Sequence, residues 1–226
     1  MDQGKDLPNQ GSWDQFWSRD SSKRFGTVSW AKNRIKEVLL AQTPFQGPVL
    51  DAGCGSGFFS AMFHAQGLEV VALDYAPEAL MMTRQLTEGR VKTVQADLVL
   101  DRLTEKFPIT KFKLIFSDGL LEHFSFEDQK RILENFCSVL DPEGVVVNFV
   151  PNRWSPWQIV RPMFMPGIQE QPFVLSSLRR LHEESGLSIL HEGGVNVLPF
   201  RFSPEFLGRA FGMLLYVVAK QGSIDG

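Results

Sequence analysis

Only two cysteines, Cys54 and Cys137, occur among the 226 residues. They make neither a disulfide framework nor a C-x-x-C metal pair, so a disulfide-stapled scaffold is excluded and a reducing, cytoplasmic setting is expected. No apolar run approaches the roughly 20 residues that cross a bilayer, and the polar opening Met1–Gln10 lacks an apolar leader core. No membrane span is expected. A basic excess is missing too: 23 Lys and Arg face 26 Asp and Glu, a net charge of -3, which argues against nucleic acid as a partner. Neither an internal repeat nor a low-complexity segment appears.

What is present suits a globular domain with a substantial core: 43% hydrophobic and 22% charged residues, with 19 phenylalanines and 5 tryptophans. The chain is organised around Val49-Leu50-Asp51-Ala52-Gly53-Cys54-Gly55-Ser56-Gly57. Val49 and Leu50 read as the end of a buried strand, and Phe58/Met62 with Phe59/Phe63 repeat at helical spacing, so the glycines occupy a strand-to-helix turn. Backbone N–H groups at such a turn meet anions and polar ligands. A dinucleotide fingerprint needs a further glycine where Phe58 stands, which weakens a nicotinamide or flavin reading.

Asp51-x-Gly53-x-Gly55-x-Gly57 resembles the first motif of class I S-adenosylmethionine (SAM) dependent methyltransferases. The series continues. Asp74 ends the run Val70-Val71-Ala72-Leu73, 23 residues after Asp51, near the interval at which an acid meets ribose hydroxyls in nucleotide-binding folds. Asp97-Leu98 follows a third strand, Val91 to Leu98. A fourth strand, Phe112 to Ser117, leads into Asp118-Gly119-Leu120-Leu121-Glu122-His123, similar to the segment after the fourth strand of quinone-biosynthesis methyltransferases. The resemblance implies that Asp51, Gly53, Cys54, Gly55, Gly57, Asp74, Tyr75, Asp97, Leu98, Ser117 and Asp118 bind SAM. Asp74 would hold the ribose, Tyr75 lie on the adenine, and Asp97 and Leu98 meet the adenine edge. The implied fold is α/β, a doubly wound, mostly parallel seven-stranded sheet whose last strand is antiparallel.

Residues 45–226 read as the core. Residues 1–44 read as helical: residues 1–12 frayed, then Trp13, Phe16 and Trp17 at helical spacing, a charged break from Arg19 to Arg24, and an amphipathic helix carrying Ala31, Ile35, Val38 and Leu39. This segment is either a cap on the sheet edge or a lid over the ligand. Asp141-Pro142-Glu143-Gly144 ends a helix that Ser125 starts, before a central strand, Val145 to Val150. A helix from Ser176 to Ser185 and strands at Leu187–Leu190 and Leu214–Ala219 complete the chain. Residues 152–175 read as an irregular, proline-rich insertion containing Met163, Met165 and Pro166. With Arg153, Trp154, Trp157 and Arg161 it either packs on the core or receives an acceptor with an apolar or aromatic body and an anionic end.

For chemistry, His123 is the candidate base, with Glu122 orienting it or taking the proton itself; alternatively the pair bonds backbone or caps a helix. His64, His182 and His191 read as surface or structural. Neither a metal nor a covalent enzyme intermediate is needed. The site assigns Trp17, Trp154, Trp157 and Arg161 to a small-molecule acceptor. No Asp/Asn-Pro-Pro-Tyr/Phe segment or Pro-Cys pair of nucleic-acid methylating enzymes is present. The expected reaction is methyl transfer from SAM, yielding S-adenosylhomocysteine, with oxygen slightly favoured as acceptor atom. The alternative is a non-catalytic SAM-binding partner subunit.

Overall fold

Short apolar runs, most of them alternating with helices, fold into one sheet. Its strands are β1 (Val49–Ala52), β2 (Val70–Asp74), β3 (Lys92–Gln95), β4 (Phe112–Asp118), β5 (Leu140–Pro151), β6 (Leu187–Val195) and β7 (Leu214–Gln221). In this computed structural model, which describes residues 10–19, 26–27, 29–42, 47–164, 170–198 and 202–222, the seven strands lie in the order β3-β2-β1-β4-β5-β7-β6. β1 to β5 pair in parallel, and β7 runs antiparallel to both neighbours. The expected doubly wound sheet with a reversed last strand is therefore the fold.

Every residue of β1 and β2 is buried, as strands covered on both faces require. Alternate side chains divide between two cores. Leu50, Ala52, Val71 and Leu73 face the side covered by α5 (Leu103–Lys106), α6 (Phe126–Val139) and α8 (Leu175–Glu184). Val49, Val70 and Ala72 face the side covered by α2 (Trp30–Gln42), α3 (Phe58–Ala65) and α4 (Pro77–Leu86). Two further helices, α1 (Gln10–Trp17) and α7 (Trp157–Phe164), lie at the carboxyl ends of the strands, where their residues enter the cleft described below. Near the C-terminus, a 3-10 turn, Glu205–Leu207, leads into α9 (Gly208–Phe211). Among the described residues no helix is long and apolar enough to cross a membrane.

Several boundaries differ from the sequence reading, among them β6 and β7, which run on to Val195 and Gln221. β3 stops at Gln95, because Asp97 Oδ1 accepts the N–H groups of Val99 and Leu100 and turns the chain out of the sheet. β5 begins at Leu140, not Val145: Asp141–Gly144 forms a bulge between the pairs Phe112↔Leu140 and Leu114↔Val145. Lys113 Nζ bonds Asp141 Oδ1 at 2.8 Å across this bulge. The stretch from Arg153 to Pro172, expected to be irregular, contains the eight-residue α7, with Pro162 in its second half. Of the frayed opening, residues 10–12 belong to α1 and residues 1–9 lie outside the described residues, as do residues 20–24 of the charged break and Met165 and Pro166 of the insertion.

Phe116 of β4 is fully buried between Phe59, Phe63 and Phe149, with ring centroids 4.7, 5.5 and 6.1 Å away. It locks α3 to the middle of the sheet. Truncating a buried phenylalanine removes its transfer energy and leaves a cavity, so Phe116→Ala should cost about 3–5 kcal/mol of stability in urea unfolding. A loss under about 1 kcal/mol would mean that this face collapses around the gap.

Candidate active site

After β1 the chain turns through Gly53, Gly55 and Gly57 at φ +71°, +49° and +75°. A β-carbon is strained at these angles, and at Gly55 it would lie 2.6 Å from the Trp17 ring. At Gly57 it would lie 2.7 Å from Thr83 Cα on α4, so this glycine faces α4 while Gly53, Cys54 and Gly55 line a cleft. The cleft, about 380 Å³, runs along the carboxyl ends of the parallel strands. The strand order places Asp97, Asp74, the glycine turn and Asp118 along it in sequence.

Asp51 and Asp74 are buried, and Asp97 and Asp118 half-buried. Asp51 accepts a 2.5 Å hydrogen bond from Ser60 Oγ, yet burial pushes its carboxyl up to about 7, with Asp118 and Asp74 adding repulsion. Asp74 accepts the N–H of Gly55 on Oδ2 and that of Ala76 on Oδ1, each at 3.0 Å, and burial holds it at about 6. Asp118 is raised to about 6 by burial, against the pull of Lys32. Lys32, on α2, is lowered to about 8 by burial, with its Nζ 4.1 Å from the Phe58 ring centre. Burial also drives the Cys54 thiol well upward, which makes it unreactive.

Past β4 the chain reverses at Gly119 (φ +73°) into a 3-10 turn, Leu121–His123. Buried Gln129 holds this turn by donating Nε2 to the carbonyls of Leu121 and Phe124 at 2.9 and 3.0 Å. Glu122 and His123 are both buried, with Glu122 Oε1 3.7 Å from His123 Nε2. The His123 ring also meets Trp13 edge to face, centroids 4.7 Å apart. Residues 171–173 are pinned beside the end of β5: Phe173 N–H donates to Pro151 O at 2.9 Å, and Gln171 N–H donates to Glu122 O at 2.8 Å. That attachment brings Glu170 to the cleft, where Glu122, His123 and Glu170 have ligand atoms within 4.8 Å of one another.

Of the residues singled out from sequence, Asp51, Gly53, Cys54, Gly55, Asp74, Tyr75, Asp97, Leu98, Asp118, Glu122, His123, Trp17 and Trp157 line this one cleft. Four do not. Gly57 faces α4. Ser117 is fully buried and accepts Asn148 Nδ2 at 2.6 Å, in a chain that continues from Asn148 Oδ1 to His182 Nε2 at 2.7 Å. Trp154 is 66% exposed beside Arg153, and Arg161 Nη1 pairs with Glu170 Oε1 at 3.3 Å. Neither arginine lines the cleft, so an anionic end of an acceptor finds no arginine there among the described residues; Lys32 is the basic residue that does line it. Lys32, Trp13, Phe58 and Glu170 were not singled out as site residues. A lysine beside Ala31 and one helical turn before Ile35, at the edge of an apolar stripe, was the available signal for the first; Glu170 had none.

Residues 49–144 match the methyltransferase domain family. The chain is similar to a tRNA N(3)-cytidine methyltransferase of Mus musculus, 28% identical over 141 residues, covering 59% of this chain and 50% of the relative. It is also similar to a malonyl-[acyl-carrier protein] O-methyltransferase of Buchnera aphidicola, 32% identical over 114 residues, covering 49% of this chain and 42% of the relative. The chain thus spans about half the length of these relatives. The fold is that of the magnesium protoporphyrin IX methyltransferase of Synechocystis, solved with bound S-adenosylhomocysteine, at TM-score 0.62 and 17% identity over 97% of this chain and 90% of that one. A relative named for tRNA means that the overall acidic charge does not exclude nucleic acid.

A carboxyl that is raised on folding keeps protons that the unfolded chain has released, so stability falls as pH climbs from its unfolded to its folded value. Asp74 and Asp118 at about 6 and Asp51 at about 7, all raised from 3.8, put that loss between roughly pH 4 and 7. Glu122 and Glu170 are raised by burial and act in the same sense. His182, lowered by burial from 6.5 to about 4, opposes them below its unfolded value. The urea midpoint of the ligand-free protein should therefore decline from about pH 5 to pH 7.5, and Asp51→Asn should make the decline shallower. A midpoint rising across that interval would contradict the desolvation assigned to these acids.

Proposed function

We propose, from the premise that this chain carries a class I SAM-dependent methyltransferase domain, that the protein methylates a small-molecule acceptor and releases S-adenosylhomocysteine. The observation carrying this reading is that the bare glycine turn and the successive strand-end acids open on one cleft ending at Glu122 and His123. The residues present fit SAM: the bare backbone at Gly53 and Gly55 admits close approach of a ligand, Asp74 suits ribose hydroxyls, and the buried carboxyl groups suit a sulfonium cation. SAM supplies a methyl group on a sulfonium, whose departure as a neutral thioether drives transfer.

The protein's part is to bind, align and deprotonate. Asp74, already accepting backbone N–H groups from Gly55, Ala76 and Tyr75, would take the ribose hydroxyls, and Tyr75, Leu98 and Asp97 would hold the adenine. Trp13, Phe16 and Trp17 cover the cleft and exclude water, which makes α1 its lid, and Trp157 and Glu170 belong to the acceptor wall. Glu122 and His123 take the proton that an oxygen or nitrogen acceptor sheds. The similarity to a tRNA-modifying relative favours a second reading, with a nucleobase as acceptor. Assays with tRNA and with a small-molecule panel, read by S-adenosylhomocysteine release, separate the two.

Removing Asp74's hydrogen bonds to a charged cofactor should weaken SAM binding by about 1.5–3 kcal/mol, or ~10- to 150-fold, in calorimetry of Asp74→Ala. Because Asp74 also clamps Gly55, Asp74→Asn, which keeps an acceptor oxygen, should lose less. Equal affinity in all three proteins would remove Asp74 from the ribose. Tight SAM binding with no S-adenosylhomocysteine released on any acceptor would instead favour a non-catalytic SAM-binding subunit.

A further inference from the structure

Beyond the acids aligned with the strands, Glu122 and Glu170 form a second pair at the same cleft. Their side chains are only 2% and 5% exposed. Glu122 Oε2 and Glu170 Oε2 each lack a hydrogen-bond partner, although a buried carboxylate oxygen is costly to leave unmet. Arg161 faces Glu170 and His123 Nε2 lies 3.7 Å from Glu122 Oε1, so neither contact reaches the two Oε2 atoms. Around them the cleft is aromatic, with Trp13, Phe124 and Trp157 in its wall. Buried carboxyl groups with an unbonded oxygen each, set among aromatic faces, are the chemistry that recognises an organic cation.

We propose that Glu122 and Glu170 form the acceptor subsite and that the acceptor is an amine, bound as its ammonium ion. This rests on the methyltransferase reading above and names its substrate class. Glu122 accepts one ammonium proton, freeing the nitrogen lone pair. The lone pair attacks the methyl carbon, the C–S bonding pair leaves with sulfur, and the product is an N-methylated ammonium ion with S-adenosylhomocysteine. The proton then passes from Glu122 to solvent. A divalent metal is the competing occupant, because Glu122, His123 and Glu170 are close enough to ligate one, but Arg161 beside Glu170 repels a dication.

The test is calorimetry on the full chain saturated with S-adenosylhomocysteine, using 2-phenylethylamine, its neutral isostere 2-phenylethanol, anionic 3-phenylpropionate, and Mn²⁺. The amine should bind about tenfold or more tighter than the alcohol, with the acid weakest, on the scale of a charge-assisted hydrogen bond. Glu122→Gln and Glu170→Gln should each bring amine and alcohol within about twofold while S-adenosylhomocysteine affinity is retained, which shows that the variants are folded. Equal binding of amine and alcohol by the unsubstituted protein, a preference surviving in both variants, or Mn²⁺ binding that excludes the amine would overturn the proposal. Failure of S-adenosylhomocysteine itself to bind would overturn the methyltransferase reading and this proposal together.

Discussion

Carboxylates taken out of water without full compensation govern this molecule. Asp51 lies near the end of β1, and Asp74 and Asp118 end β2 and β4, where the sheet delivers all three to a common cleft beneath aromatic helices. Their hydrogen bonds, from Ser60, Gly55 and Ala76, are too few to offset burial, and every one of these carboxyls is pushed toward its neutral form. A ligand carrying positive charge relieves that penalty, so the fold holds its affinity in reserve as electrostatic strain.

The sheet makes this arrangement possible by topology. β1 lies between β2 and β4, so the chain leaves the middle of the sheet in opposite directions and opens a crevice at that point. Phe116 and its aromatic neighbours then fix α3 against β4, and Asp74 ties the glycine turn to the end of β2 before any ligand arrives. With its N–H groups taken up by Leu73 O, Cys54 O and Asp74, the turn is ordered before binding.

The legible features were local ones. Positive φ at Gly53, Gly55 and Gly57, the apolar strands ahead of Asp74 and Asp118, and the cap at Ser125 are each dictated by a few adjacent residues. Ser117 fooled the reading because its partners, Asn148 and through it His182, come from β5 and α8, and nothing next to Ser117 reveals that they claim its hydroxyl. Arg161 fooled it likewise: Glu170 neutralises it from a segment with no periodicity of its own. Lys32 sits near the glycine turn only because α2 crosses above the sheet. Where a side chain's role depends on distant partners, spacing along the chain carries little information about it.

Trp17 stands where a β-carbon of Gly55 would be, so the indole rests directly on bare backbone. The helix that carries it, α1, is eight residues long, too short to persist in water by its own hydrogen bonds. Its helical form therefore leans on the packing of Trp13, Phe16 and Trp17 over the crevice. Anything that lifts Trp17 off the glycine backbone takes away a contact on which this short helix depends.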